Sequence, residues 1–108
     1  MLAGMAVAIG LAPAPVAAQS ERVRDTGAAS CDRWTADRRT PETGPAIADE
    51  QWVIGFLSGI GYMGLGELKP LHGISDKGVW AWVDVYCGGH PTAPIEQAAA
   101  AFSVAHPR

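Results

Sequence analysis

Residues 49–65 read DEQWVIGFLSGIGYMGL, and this stretch decides the fold that the sequence predicts. Its apolar residues recur with the period of a helix along two adjoining stripes, which are Trp52, Phe56, Ile60 and Met63, and Val53, Leu57, Ile60 and Gly64. From Trp52 onward the stretch carries no charge, and a helix that is apolar on all sides is typically buried on all sides. We therefore expect a central helix that the rest of the chain covers.

The glycines of this stretch allow two interpretations. Gly55 and Gly59 are four residues apart, and each costs about 1 kcal/mol relative to Ala inside a helix, so we expect another helix to pack closely against them. Gly59, Gly61 and Gly64 also match the dinucleotide-binding pattern G-x-G-x-x-G. That pattern should follow a strand and open a helix, so we interpret these glycines as a helix end that continues into the loop 64–70.

The first 18 residues contain no charged side chain and end in Val16-Ala17-Ala18, which are small residues typical of a signal cleavage site. We predict a signal peptide over residues 1–18, although no Lys or Arg precedes its apolar region. Pro13 and Pro15 interrupt the run and argue against a membrane-spanning helix. The mature protein is therefore expected to be periplasmic or secreted, without a membrane span.

Cleavage would leave 90 residues, a size at which one core is marginal without a covalent staple. In an oxidising compartment the only two cysteines, Cys31 and Cys87, predict one disulfide. Closing that loop would contribute about 4 kcal/mol on the chain-entropy model. The alternative is a metal site formed by both cysteines with His72 and His90, because Cys87-Gly-Gly-His90 has a ligand-like spacing. We expect no cofactor.

Three shorter helices are predicted around the central one. Residues 19–29 are polar and aperiodic and are predicted to form a flexible mature N-terminus, followed by one helical domain over residues 30–106. The first helix should begin after Ser30 as its N-cap and stop by Thr40, because Pro41 disfavours a helical conformation in its predecessor. Thr43 is the expected N-cap of the central helix.

The third and fourth helices follow the loop around Pro70. Ser75 should open the third helix, whose apolar stripe is Val79, Trp82, Val83, Tyr86 and Cys87. Thr92 should cap the fourth helix, whose inner face is Ile95, Ala98, Ala99 and Phe102. The predicted fold class is all-α, a small disulfide-stapled bundle of about four helices.

Three segments together resemble a known group of proteins. They are Cys31-x-x-Trp34, then Glu50-Gln-Trp-Val-Ile-Gly-Phe-Leu-Ser-Gly59, then Trp82-x-x-Val-Tyr-Cys87 followed by Pro91 and an Ala-rich helix. The order resembles small exported proteobacterial helical proteins of unknown function. That group is distantly similar to the immunity proteins against type VI secretion amidases and to the Hde acid-stress chaperones. The resemblance implies a helical, periplasmic, disulfide-bearing and non-catalytic protein, although immunity proteins generally hold more cysteines.

Few residues favour catalysis or nucleic-acid binding. A nucleophile needs a base and an orienting acid, whereas Ser58 is predicted to be buried and His72, His90 and His106 lie in loops or near a terminus. The acid pairs, Asp49 with Glu50 and Asp76 with Asp84, are interpreted as helix starts and a solvated face. A net charge of -3, with Arg interleaved among acids, argues against nucleic acid. We therefore predict no enzyme activity, although an unrecognised hydrolase stays open.

The remaining prediction is a surface for an unknown protein partner in the cell envelope. Trp80 lies beside Asp84 on the less apolar flank of the third helix, where it either covers the edge of the core or is partly exposed, and exposed tryptophans are frequent binding hot spots. The loop 67–75 supplies Glu67, Lys69 and His72 as further candidate contacts. We predict an immunity-like or inhibitor-like binding module, with an Hde-like acid-activated chaperone as the alternative, and a homodimer stays open.

Overall fold

The structure, a computed structural model, describes residues 23–108, and within them it confirms the all-α disulfide-stapled bundle. The predicted signal peptide and the first residues of the mature chain lie outside the described residues. The four α-helices are α1 (Cys31–Arg38), α2 (Gly44–Met63), α3 (Asp76–Gly89) and α4 (Ile95–Ala105). A short 3-10 turn over Asp25–Ala28 precedes them.

Local capping explains where α2 and α3 begin. The Thr43 hydroxyl accepts the Ala46 N–H at 3.5 Å, and the Ser75 hydroxyl accepts the Gly78 N–H at 3.1 Å. Each cap therefore satisfies one of the amides that a helix start leaves without a partner. Both caps confirm the sequence prediction. At its other end α2 stops at Met63, and Leu65 and Gly66 then take positive φ values of 50° and 87°.

The predicted cap of α4 at Thr92 is wrong, because α4 begins at Ile95 after Pro94 and has no side-chain cap. Residues 91–94 run instead beside residues 29–32, where Ser30 and Pro94 form an isolated antiparallel bridge. The Ile95 N–H donates to the Ala29 carbonyl at 2.8 Å, and the Cys31 N–H donates to the Ala93 carbonyl at 2.7 Å. Backbone hydrogen bonds between these two segments thus give the first N–H of α1 and the first N–H of α4 a partner. The Ser30 side chain makes no capping hydrogen bond.

The core lies where the four helices meet. Its fully buried members are Cys31, Trp34, Val53, Leu57, Val79, Val83, Ile95, Ala98, Ala99 and Phe102. The disulfide joins the start of α1 to the end of α3, with 4.9 Å between the two Cα atoms and a sequence separation of 56. This confirms the predicted staple and removes both sulfurs from the alternative metal set.

Two expectations about burial are wrong. The central helix α2 is not covered on all sides, because Tyr62 and Met63 are 83% and 74% exposed and Leu65, just beyond it, is 89% exposed. Part of the segment predicted to be flexible is packed, since Thr26 and Gly27 are buried in the 3-10 turn. A Cβ on Gly27 would overlap the Trp52 ring, so this turn rests directly on α2. The packed region therefore extends upstream of residue 30.

Candidate functional site

A cluster of charged and aromatic side chains connects α1, α2 and α3, and we call it the Arg38 cluster. Its members are Trp34, Arg38, Glu50, Trp80 and Asp84. The Arg38 guanidinium donates to both Asp84 carboxylate oxygens at 2.8 and 2.9 Å, and through Nη1 to Glu50 Oε2 at 2.7 Å. The Arg38 cation is thus paired with two carboxylates. Its bidentate contact with Asp84 fixes the orientation of the guanidinium plane.

Two indole rings complete this cluster. The Arg38 guanidinium carbon lies 5.7 Å from the Trp34 ring centroid and 5.9 Å from that of Trp80. Trp34 Nε1 donates to Asp84 Oδ1 at 2.8 Å, and Trp80 Nε1 donates to the Glu50 carbonyl at 3.2 Å. The Asp84 carboxylate, and then Glu50, raise the pKa of Arg38 above its ordinary value. The guanidinium therefore stays charged, and both indole N–H groups are satisfied.

A second polar group lies beside this cluster, at Asp49 on the same helix as Glu50. Asp49 is fully buried, its Oδ1 accepts from Arg33 Nη2 at 3.4 Å, and its Oδ2 has no hydrogen-bond partner among the described residues. Burial, and then the neighbouring Asp37 carboxyl, raise the pKa of Asp49 to about 7. Its surroundings therefore favour the protonated form of the Asp49 carboxyl.

The Arg38 cluster forms one wall of an open groove, which we call the Trp80 groove. Its volume is about 580 Å³, and it is lined by Arg38, Pro41, Glu42, Ile47, Glu50, Lys77 and Trp80. Ile47 is 47% exposed and contributes apolar surface together with the partly buried Trp80. Lys77 and Glu42 are exposed at the rim, and neither forms an ion pair within residues 23–108.

The predicted contact residues do not form one site. Trp80 lies in the groove just described, whereas Lys69 and His72 line a separate depression of about 330 Å³ against Leu57 and Ser58 of α2. The Glu67 carboxylate forms an exposed ion pair with Arg108 at 3.3 Å and lines neither depression. The loop 67–75 and Trp80 therefore present two distinct surfaces.

The loop depression brings Ser58 and His72 together, although Ser58 was predicted to be buried and is in fact exposed. The Ser58 hydroxyl donates to the Ile54 carbonyl of its own helix at 2.7 Å. No carboxylate lines this depression among the described residues, so an acid that would orient a histidine base is missing from its walls. Residues 23–108 contain no group of three His, Cys, Asp or Glu side chains arranged to hold a metal.

The acids were misassigned from sequence, and the helical period could have placed them correctly. Asp49 and Glu50 are buried, and Asp84 pairs with Arg38, so these residues are not helix-start charges on a solvated face. The buried stripe of α2 is Ala46, Asp49, Glu50, Val53 and Leu57, which is the core spacing extended toward the N-terminus. Arg38 follows Trp34 by four residues, as Asp84 follows Trp80, so each charge shares a helix face with an indole.

Comparisons of the chain with protein-family models, with curated proteins and with solved structures find no match. The resemblance to immunity proteins and acid-stress chaperones therefore stays a prediction. Among residues 23–108, no helix is both long enough and apolar enough to cross a membrane. The disulfide fits an oxidising compartment outside the cytoplasm.

Proposed function

We propose that this chain is a small, non-catalytic protein-binding module of the periplasm, of the immunity or inhibitor type. In this proposal the Trp80 groove holds a segment of a partner protein. One observation carries it: Trp80 and Ile47 give the groove apolar surface, and it is also lined by Lys77 and Glu42, neither of which forms an ion pair within residues 23–108. Apolar centres with polar rims are the usual anatomy of protein interfaces, and Trp is enriched among their hot spots.

The construction of the groove supports this proposal. The side chains of Arg38 and Glu50 form an ion pair at 2.7 Å, and the Trp80 indole N–H donates a hydrogen bond to the Glu50 carbonyl. The disulfide further connects α1 to α3, the two helices that carry Arg38 and Trp80. A surface whose side chains are already fixed loses little conformational entropy when it binds, and this favours affinity.

The chemistry of the groove indicates what its partner would offer. The floor between Ile47 and Trp80 would take one apolar side chain, either aromatic or branched aliphatic. Lys77 would attract an acidic group of the partner, and Glu42 a basic group. Exposed rim charges of this kind set the orientation and the association rate more than the affinity.

Site-specific photo-crosslinking in living cells tests this proposal. A photoreactive residue placed at Lys77 should crosslink to a discrete partner protein, and a second substitution, Ile47→Glu, should abolish that product. The same photoreactive residue at Val104, which is 80% exposed on α4, is the matched control and should give no such product. Identical products from both positions, or a product that survives Ile47→Glu, would contradict the proposal.

Trp80→Ala is a second variant, with a built-in check on folding. Because Trp80 also packs on Arg38, its loss could disturb the Arg38 cluster, so circular dichroism must first show an intact bundle. In a folded variant we expect partner affinity to fall at least tenfold, as is common for a central aromatic contact. Unchanged affinity would mean that the partner does not bind at Trp80.

The acid-activated chaperone requires the bundle to loosen as the pH falls. Asp49 acts in the opposite direction over part of that range, since its pKa is raised to about 7 and its buried carboxyl is favoured when protonated. Near-UV circular dichroism between pH 7 and pH 2 distinguishes the two functions, because the binding module does not need an acid-loosened state.

A further inference from the structure

The 3-10 turn over Asp25–Ala28 covers the buried start of α2, and we call it the strap. Gly27 is buried against the six-membered part of the Trp52 indole, where a Cβ would overlap the ring atoms. Thr26 is buried beside it, and its side chain faces the carboxyl group of Asp49. The strap therefore packs on one aromatic and one acidic side chain of the same helix.

The strap is a single turn of four residues. At its end the Ala29 N–H donates to the Thr26 carbonyl at 3.1 Å, and Arg24, which precedes it, makes no capping hydrogen bond. The Ala29 carbonyl then accepts the Ile95 N–H at 2.8 Å, which anchors the end of the strap to α4. Short elements of this kind open at a lower free energy than core helices do. The strap can therefore separate from α2 while the bundle stays folded.

The Asp49 carboxyl beneath the strap lacks the partners that a buried charge requires. It is fully buried, and its Oδ2 has no hydrogen-bond partner among residues 23–108. Its Oδ1 lies 3.4 Å from Nη2 of Arg33, whose side chain is 48% exposed. The groups that face the carboxyl are Arg33 and Asp37 of α1 and the Thr26 hydroxyl of the strap, and Asp25 of the strap is exposed. One long contact does not replace hydration and Asp37 adds a like charge, so the ionised form is costly here.

We propose that the strap is a proton-controlled cover of α2, closed while Asp49 is protonated and open once Asp49 is ionised. In the open form water would hydrate the carboxylate and so replace the partners that the buried position does not supply. The same movement would uncover the Trp52 ring, which stacks on Phe56 with 5.1 Å between the ring centroids. One proton would thus decide whether an aromatic surface of α2 is covered.

The direction of the pH dependence follows from the two forms of the strap. Burial, and then Asp37, raise the pKa of Asp49 to about 7 in the closed form, whereas a hydrated aspartate has a pKa of about 4. The closed form therefore binds the proton more tightly, and the open fraction increases as the pH rises from about 4 to about 7. This direction is opposite to that of an acid-activated chaperone, because the aromatic surface is uncovered at neutral pH.

A strap that cannot close should weaken the binding of the proton by Asp49, because linkage is reciprocal. Gly27→Ala should hold the strap away from Trp52, and we expect the pKa of Asp49 to fall toward the ordinary value of about 4. NMR of the side-chain carboxyl carbon between pH 3 and pH 9 measures this pKa, after circular dichroism has shown an intact bundle. Gly88→Ala is the matched control and should leave the pKa unchanged, since its methyl group meets open space on α3.

Amide hydrogen exchange tests the opening itself with an unaltered strap, and it decides the proposal if Gly27→Ala does not fold. Protection of the Ala29 N–H, corrected for the intrinsic effect of pH on exchange, should fall about tenfold or more between pH 4 and pH 8. Asp49→Asn cannot ionise at this position and should show no such fall. The Val83 N–H in the core reports global unfolding and should exchange more slowly than the Ala29 N–H at each pH.

Three results would overturn the proposal. The first is an unchanged pKa of Asp49 in a folded Gly27→Ala variant. The second is protection of the Ala29 N–H that does not depend on pH, or that falls equally in Asp49→Asn. The third is an Ala29 N–H that exchanges only as fast as the Val83 N–H, because the strap would then open only when the whole molecule unfolds.

Discussion

The two ends of α2 reverse the usual relation between polarity and burial. Near its start, Asp49 is fully buried and Glu50 is 7% exposed, whereas Tyr62 and Met63 near its end are 83% and 74% exposed. Charged residues are rarely buried without a partner, and groups of large exposed apolar residues often mark an interaction surface. One helix therefore shows both exceptions, about three turns apart.

The difference lies in what compensates each exception. At the start of α2 the chain supplies the compensation itself, because Arg38 neutralises Glu50 and the raised pKa of Asp49 favours its neutral form. At the end of α2 no described residue covers Tyr62 or Met63. Buried polarity thus connects the helices of one molecule, whereas the apolar end of α2 is exposed within the described residues.

The largest expected effect comes from the disulfide that joins α1 to α3. Replacing Cys31 and Cys87 together by Ser should lower the free energy of unfolding by about 4 kcal/mol, because the unfolded chain gains the freedom of a 56-residue loop. Urea denaturation of the variant measures the loss. An unchanged midpoint would mean that the Arg38 cluster and the core hold α1 to α3 without the disulfide.

Removing the central cation should have the next largest effect. Arg38→Met leaves Glu50 and Asp84 partly buried without their partner, and we expect a loss of about 2–3 kcal/mol after allowance for their exposure. Urea denaturation measures this change. The matched control Arg39→Met alters an exposed arginine with no ion pair in the described chain and should stay within about 0.5 kcal/mol.

The pH dependence of stability tests the buried acid. Because the folded-state pKa of Asp49 is raised to about 7, its contribution is fully present below the unfolded value near 4 and is lost as the pH rises through 7. We expect Asp49→Asn to remove a decline of about 2 kcal/mol between pH 4 and pH 8, measured by urea denaturation. The groups facing Asp49 are Asp37, Arg33 and Thr26. An identical pH profile for the variant and the unchanged chain would contradict the raised pKa of Asp49.

The smallest expected effect distinguishes a covered glycine from an open one. Gly55→Ala should raise the free energy of unfolding by about 0.5–1 kcal/mol, because the methyl group meets open space and Ala favours the helix. Gly27→Ala is the opposite case, since its methyl group would overlap the Trp52 ring and destabilise the fold. Thermal denaturation at high dilution compares the two variants, and equal shifts would contradict the packing of the 3-10 turn on α2.

Local signals were sufficient to predict most of the fold. The caps at Thr43 and Ser75, the helical stripes and the two cysteines lie in short segments whose physical meaning does not depend on distant contacts. Thr92 was misassigned because pairing between residues 29–32 and 91–94 replaces a local cap, and single-sequence patterns do not contain that pairing. The turn at residues 25–28 was missed for the same reason, since Trp52 covers it from α2.

The candidate site was predicted only in part. Trp80 was found as an amphipathic residue on a helix flank, but its partners Arg38 and Glu50 lie 42 and 30 residues away in sequence and carry no local mark of their pairing. The prediction also gave more weight to the preference for acids at helix starts than to the helical period, and that period places Asp49 and Glu50 on the core stripe. Packing between helices decided the outcome.

The most direct measurement compares two charge substitutions in one affinity experiment with the partner that crosslinks at Lys77. The account predicts that Ile47→Glu weakens partner binding at least tenfold, whereas Tyr62→Glu, at the exposed end of α2, leaves partner binding unchanged. Both side chains are exposed, so both variants should fold. If Ile47→Glu leaves partner binding intact, or if Tyr62→Glu weakens it as much, the assignment of partner binding to the Trp80 groove is wrong.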